Sequence, residues 1–93
     1  MPYVRIQIKS VASREDLQRW EKHMCEEARC CNNFCLGIYA EHEMRAVHVV
    51  KDGEPDTIYL TTLCEDCIRD TSTHELLVKE KHLMFESRLN KTS

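Results

Sequence analysis

The sequence predicts a small α+β domain, and three features carry that prediction. The N-terminal segment alternates apolar and polar residues as a strand does, an amphipathic segment follows it, and β-rich segments occupy the middle of the chain. The chain has 93 residues, of which 42% are hydrophobic. Since domains commonly contain about 100–150 residues, we expect residues 1–93 to form a single domain.

The first two predicted elements are a strand and a helix. Residues 3–9 read YVRIQIK, and the apolar residues fall at every second position, which is typical of a half-buried strand. Ser13 has the position of a helix N-cap, and the acidic residues after it suit the positive end of the helix dipole. Apolar residues at helical spacing predict a helix over residues 14–28, with Trp20 as its anchor in the core.

The middle of the chain predicts a β-hairpin and a further strand. We expect strands over residues 36–41 and 44–51, and a third over 57–63. Residues 52–56 read DGEPD, in which the Asp-Gly pair and the proline indicate a turn.

The C-terminal part of the sequence predicts a second helix. Ser72 and Glu75 have the spacing of a capping box, which favours a helix over about residues 73–89. The apolar face of this helix would consist of Leu76, Leu77, Leu83 and Met84.

Six cysteines are the most informative residues of the chain. Cys64 and Cys67 form a CxxC pair at a predicted junction of strand and helix, where two thiolates can face one ion. The cysteine loop, residues 29–35, supplies a second pair. Four thiolates form the ligand set of a structural zinc ion, so we predict one bound Zn²⁺. The predicted ligands are Cys30, Cys35, Cys64 and Cys67, with Cys31 as the alternative to Cys30.

Other uses of the cysteines are less compatible with the sequence. A disulfide framework requires an oxidising compartment, and no export signal directs the chain there. A thioredoxin-like redox site needs a βαβ setting that the chain is too short to build. Buried free thiols are unusual at this spacing. Cys25, beside Met24 on the first predicted helix, is expected to be a small apolar residue and not a ligand.

Three segments carry a resemblance to a known family. They are the cysteine loop, residues 46–50 (AVHVV) and residues 58–67 (IYLTTLCEDC). Together they resemble the treble-clef zinc fold of HNH-type nucleases and of their non-catalytic relatives in small bacterial and phage proteins. The resemblance covers the zinc-binding core at about residues 30–70 and implies a cysteine knuckle, a β-hairpin and a CxxC. The N-terminal strand and helix are additional to this core, and the C-terminal helix follows it.

The same resemblance bears on catalysis. It places His48 near the general base of the nucleases, but Tyr59 stands where the family has Asn, and Ile68 stands where it has its final His. A metal-assisted nuclease needs those ligands to hold its catalytic ion. We therefore expect a protein without enzymatic activity. A degenerate nuclease that uses His48 is the alternative.

The expected function is that of a small zinc-binding interaction module. The 13 basic and 16 acidic residues give a net charge of -3, and the basic residues are interleaved with acids, so a protein partner is favoured over nucleic acid. No apolar run is long enough to span a membrane, and the N-terminus lacks a signal sequence, so we expect a cytoplasmic protein. A redox-responsive zinc switch, in which Cys31 or Cys25 resolves an oxidised ligand, is a further alternative.

Overall fold

The described strands of this protein form one antiparallel sheet. The structure is a computed structural model that describes residues 3–35, 44–70 and 76–89. Along the chain the elements are β1 (Tyr3–Val11), α1 (Arg14–Met24), β2 (Met44–Lys51), β3 (Glu54–Cys64), α2 (Glu65–Arg69), β4 (Leu77–Lys79), a 3₁₀ turn (Glu80–His82) and β5 (Met84–Arg88). The strand order is β4-β1-β2-β3-β5, which leaves β4 and β5 at the edges. The predicted α+β class is confirmed at this level.

Helix α1 begins as the sequence predicts and ends earlier. The Ser13 hydroxyl accepts a hydrogen bond from the backbone N–H of Asp16, and the Asp16 carboxylate accepts one from the backbone N–H of Ser13, which completes a capping box. The helix ends at Met24, and not at residue 28, because Cys25 adopts the left-handed conformation with φ 56°. The remaining residues leave the helix and enter the cysteine loop.

The core lies between α1 and the sheet. Trp20 is fully buried, and its indole N–H donates a 3.0 Å hydrogen bond to the backbone carbonyl of His82. The prediction that Trp20 anchors α1 in the core is therefore confirmed. The apolar residues buried with it come from all five described strands and are Ile6, Ala46, Val47, Val49, Leu60, Leu63, Val78 and Met84.

Strands β2 and β3 form a hairpin with a tighter turn than the sequence suggested. Only Asp52 and Gly53 lie outside the strands, and Lys51 pairs with Glu54. Gly53 has a φ of 87°, a conformation that glycine adopts without the strain other residues would meet. The predicted strand over residues 36–41 lies outside the described residues.

The predicted C-terminal helix over residues 73–89 is wrong for the part of it that the structure describes. Residues 77–79 form β4, which pairs with the first residues of β1, and residues 84–88 form β5, which pairs with β3. Val78 is fully buried in β4 and lies opposite Val4. This pairing between distant parts of the chain outweighs the local helical spacing of the leucines. The predicted capping box lies outside the described residues.

Candidate metal centre

Four cysteines from three elements meet at one end of the sheet. Cys30 and Cys35 lie on the cysteine loop, Cys64 is the last residue of β3, and Cys67 lies in α2. Their four Sγ atoms all lie within 4.8 Å of one another. These are the four residues that the sequence favoured as ligands, and Cys31 does not belong to the cluster.

Backbone hydrogen bonds fix the cysteine loop between β3 and β4. On the β3 side, the N–H of Cys31 donates to the carbonyl of Thr62 at 3.0 Å. On the β4 side, the N–H of Asn33 donates to the carbonyl of Leu77 at 2.6 Å. Because the loop is tied to two strands, Cys30 and Cys35 reach the end of β3 without a regular element of their own.

Asn32 connects this loop to the cluster through its side chain. Its amide nitrogen donates to the Cys67 sulfur at 3.4 Å, and its amide oxygen accepts the backbone N–H groups of Phe34 at 3.2 Å and Leu77 at 3.4 Å. The side chain lies among buried groups, and the residue is only 4% exposed. The sequence analysis missed this residue, although asparagine in a turn commonly bonds to backbone two residues on.

The thiols of the cluster differ in their acidity because they share one buried space. Burial raises the pKa of Cys30, although the backbone N–H groups of Cys64 and Asn32 oppose that rise. Burial also raises the pKa of Cys67. Burial acts on Cys64 in the same direction, but hydrogen bonds from the other three cysteines outweigh it and lower its pKa. Cys64 therefore loses its proton more readily than Cys30 or Cys67, and several thiolates together need a compensating positive charge.

The spacing of the sulfurs fits a tetrahedral zinc ion. Zinc–thiolate bonds of about 2.3 Å place the sulfurs of a tetrahedral site about 3.8 Å apart. The Cys30 and Cys67 sulfurs are 3.5 Å apart, far longer than the roughly 2.05 Å of a disulfide bond, and all six cysteines are free thiols. A divalent ion would also supply the positive charge that four thiolates require. The cluster is thus placed to hold one metal ion, and its donor set suits zinc.

Two cysteines lie apart from this cluster. The Cys31 sulfur contacts the Thr62 hydroxyl at 3.3 Å and lies 3.6 Å from the carbonyl oxygen of Arg29. Cys25 is exposed at the end of α1. The structure therefore separates both residues from the four that lie together.

The residues that the nuclease resemblance singled out occupy ordinary positions in the sheet and α2. The His48 ring lies 3.3 Å from the Ser10 hydroxyl through Nδ1, and 3.8 Å from the Glu86 carboxylate through Nε2. The Tyr59 hydroxyl donates to Glu54 at 2.9 Å, and Ile68 packs against the hydrophobic core. A catalytic role for His48 stays a hypothesis.

Comparisons with known proteins return no relative of this chain. No protein family matches it, and neither the curated proteins nor the solved structures give a match. Within the described residues, no helix has the length and apolar character needed to cross a membrane. The fold and the cluster define the class of protein that can be stated, which is a small α+β protein with a four-cysteine metal-binding cluster.

Proposed function

We propose that this protein is an interaction module whose fold is stabilised by one structural zinc ion. The observation that carries the proposal is the group of four Sγ atoms within 4.8 Å of one another, drawn from the cysteine loop, β3 and α2. A closed site with four protein ligands leaves no position for a substrate, which is the arrangement of structural and not of catalytic zinc.

The zinc ion would join parts of the chain that are weak alone. Helix α2 has five residues, and isolated helices shorter than about 12–15 residues are marginal in water. The cysteine loop has no regular secondary structure. Coordination by Cys30 and Cys35 on one side and Cys64 and Cys67 on the other would hold both segments against the sheet.

The treble-clef relationship belongs to this proposal for the cysteine-bearing part only. In chain order the structure has a cysteine loop, the β2–β3 hairpin and a CxxC from which α2 begins. That order supports the relationship, whereas the strands that follow α2 depart from it.

The exposed side of the cysteine loop supports a protein partner. Phe34 immediately precedes the cluster residue Cys35 in the chain. Phe34 is 50% exposed, and its backbone N–H donates a hydrogen bond to the Asn32 side chain. Aromatic residues on rigid supports are frequent anchors of protein interfaces. The net charge of -3 disfavours a polyanionic partner. We therefore propose that the partner is a protein and that Phe34 contacts it.

The zinc part of the proposal is tested by native mass spectrometry on protein purified without chelator. We expect one zinc ion per chain and protection of the four cluster cysteines from alkylation, while Cys25 reacts. A metal-free chain whose cluster thiols alkylate as fast as Cys25 would overturn the structural role of zinc.

The partner part is tested by capture from the native cell extract with wild-type protein and with Phe34→Ser. Phe85→Ser is the matched control, because Phe85 is 57% exposed and lies on β5. We expect a protein that wild type and the control retain and that Phe34→Ser loses. Equal recovery by all three proteins, or recovery of nucleic acid alone, would count against the proposed partner.

A further inference from the structure

A cavity of about 540 Å³ lies beside the cysteine cluster. Six of the residues that line it are Arg29, Cys30, Cys31, Cys35, Lys79 and His82. Its volume falls within the range of roughly 300–1,000 Å³ that is usual for small-molecule pockets. A small molecule that enters this cavity therefore meets sulfur atoms of the cluster.

The four cluster cysteines are unequally accessible from this cavity. Cys30 and Cys35 are half-buried and line it. Cys64 is 1% exposed and Cys67 is 6% exposed, and neither belongs to the lining that the structure describes. We call Cys30 and Cys35 the cavity-facing pair. A reagent from solvent reaches this pair first.

The accessibility of the sulfurs favours reaction at the cavity-facing pair. The lining carries charges of both signs, with basic Arg29 and Lys79 and acidic Glu27. Oxidation needs a reagent to approach the sulfur atom, so the half-buried Cys30 and Cys35 are favoured over the buried Cys64 and Cys67.

We propose that Cys30 and Cys35 are the site at which peroxide oxidises this protein, and that their oxidation releases the zinc ion. This inference rests on the zinc site of the proposed function. A thiolate of the cavity-facing pair attacks hydrogen peroxide, so a sulfur–oxygen bond forms, the oxygen–oxygen bond breaks, and the departing hydroxide takes a proton to become water.

A neighbouring thiolate of the cluster completes the reaction. It attacks the sulfenic sulfur, so a disulfide forms and a second hydroxide leaves and takes a proton. Two thiolates together lose two electrons, and one peroxide with two protons becomes two waters. Because the cluster sulfurs lie within 4.8 Å of one another, a partner is at hand for either cavity-facing sulfur. The two ligands that remain hold zinc weakly.

Cys31 takes no part in this reaction, although it lines the same cavity. Its sulfur is turned to the Thr62 hydroxyl and to the backbone carbonyl of Arg29. The Cys30 sulfur instead faces Cys67 at 3.5 Å. The disulfide is therefore expected inside the cluster, in contrast to the sequence-based alternative in which Cys31 or Cys25 resolves the oxidised ligand.

The experiment treats zinc-loaded protein with hydrogen peroxide in two parallel samples, one with dimedone, which traps sulfenic acids irreversibly, and one without it. Zinc release is followed with a chromophoric chelator, and labelled residues are mapped by mass spectrometry. Exposed Cys25 reports that the dose is sufficient. The zinc content is measured before peroxide is added, so that a failure of the zinc proposal is recognised separately. Cys31→Ser and Cys25→Ser are the matched variants.

With dimedone we expect labelling of Cys30 or Cys35, and without it we expect a disulfide within the cluster, loss of the bound zinc, and recovery of zinc binding after reduction. Both variants should release zinc at the wild-type rate. The proposal is overturned by first labelling at Cys64 or Cys67, or by a disulfide that includes Cys31 or Cys25. Retention of zinc and of unmodified cluster thiols at a dose that labels Cys25 would overturn it equally.

Discussion

Around Trp20 the molecule is held by apolar contacts, whereas around Cys67 backbone hydrogen bonds tie an irregular loop to the sheet and four free thiols lie together. The first region combines a capped helix with central strands whose apolar side chains are buried. The second combines an irregular loop with a five-residue helix. The comparison teaches that apolar burial accounts for the sheet and α1, whereas the cysteine end has four thiols placed to hold the ion that we propose. Substitutions at the two ends should therefore have different effects.

The largest effect is expected from removing a ligand. Zinc binding by zinc-finger peptides contributes about 10–16 kcal/mol, which becomes folding free energy when the site forms only in the folded state. Cys67→Ser should lose zinc and unfold the cysteine loop and α2, as measured by zinc content and amide NMR spectra. Cys25→Ser is the control and should behave as wild type. Zinc retention with an unchanged spectrum in Cys67→Ser would contradict the expectation.

The second effect breaks the apolar end. Trp20→Ala removes a fully buried side chain and should lower the free energy of unfolding by about 3–5 kcal/mol. Molecules that remain folded should still bind one zinc ion, because Trp20 is not among the ligands. The check is chemical denaturation together with the zinc content of the folded fraction. A denaturation midpoint of Trp20→Ala equal to that of wild type would show that α1 contributes little to the stability of the core.

A third substitution tests the hydrogen bonds that connect the cysteine loop to Cys67. Asn32→Ala removes the amide that binds the Cys67 sulfur and two backbone N–H groups, and should cost about 1–3 kcal/mol. Substitution of a side chain that bonds to a metal ligand commonly weakens metal affinity by about 10–100-fold, so Asn32→Ala should also weaken zinc binding. Competition with a chelator measures this change. Asn33→Ala, at the neighbouring exposed position, is the control, and equal zinc affinity in the two variants would exclude the proposed role of Asn32.

The smallest effect concerns an ion pair on the protein surface between α1 and β5. Arg19 donates two 2.9 Å hydrogen bonds to Glu86 and holds the pKa of that carboxyl below its usual value of 4.5. A lowered pKa stabilises the fold above pH 4.5, and this contribution disappears as the pH falls through the lower value of the folded state. Arg19→Gln should therefore be slightly less stable than wild type at pH 7.

Thermal unfolding of both proteins across this pH range checks the last prediction. The difference between their melting temperatures should shrink on acidification. A difference that is independent of pH would show that Arg19 acts through packing and not through its charge.

The sequence predicted β1 and the start of α1 better than it predicted the C-terminal part of the chain. Alternation in β1 and the cap at Ser13 are local signals, so strand and helix could be located from neighbouring residues alone. Strand β4 depends on pairing with β1 across more than 70 residues of chain, which no local pattern reveals. The spacing of Leu76 and Leu83 suits a helix, but burial of Val78 against Val4 makes this segment a strand.

The candidate site was predictable in its ligand types and only partly in its details. CxxC spacing indicates Cys64 and Cys67, but spacing left Cys30 and Cys31 as alternatives. The structure places the Cys30 sulfur beside Cys67 because the backbone of Cys31 is bonded to Thr62. That choice depends on how the loop docks on β3, which is a tertiary contact. Coordination of an ion by these four residues stays a prediction until metal binding is measured.

The central claim is that four thiolates of this chain coordinate one zinc ion. Zinc X-ray absorption spectroscopy on protein purified without chelator tests it most directly. The account predicts a first shell of four sulfur atoms at about 2.3 Å, and a matching loss of signal in Cys67→Ser. A shell that contains nitrogen or oxygen ligands in wild type, or a purified protein without zinc, would contradict it.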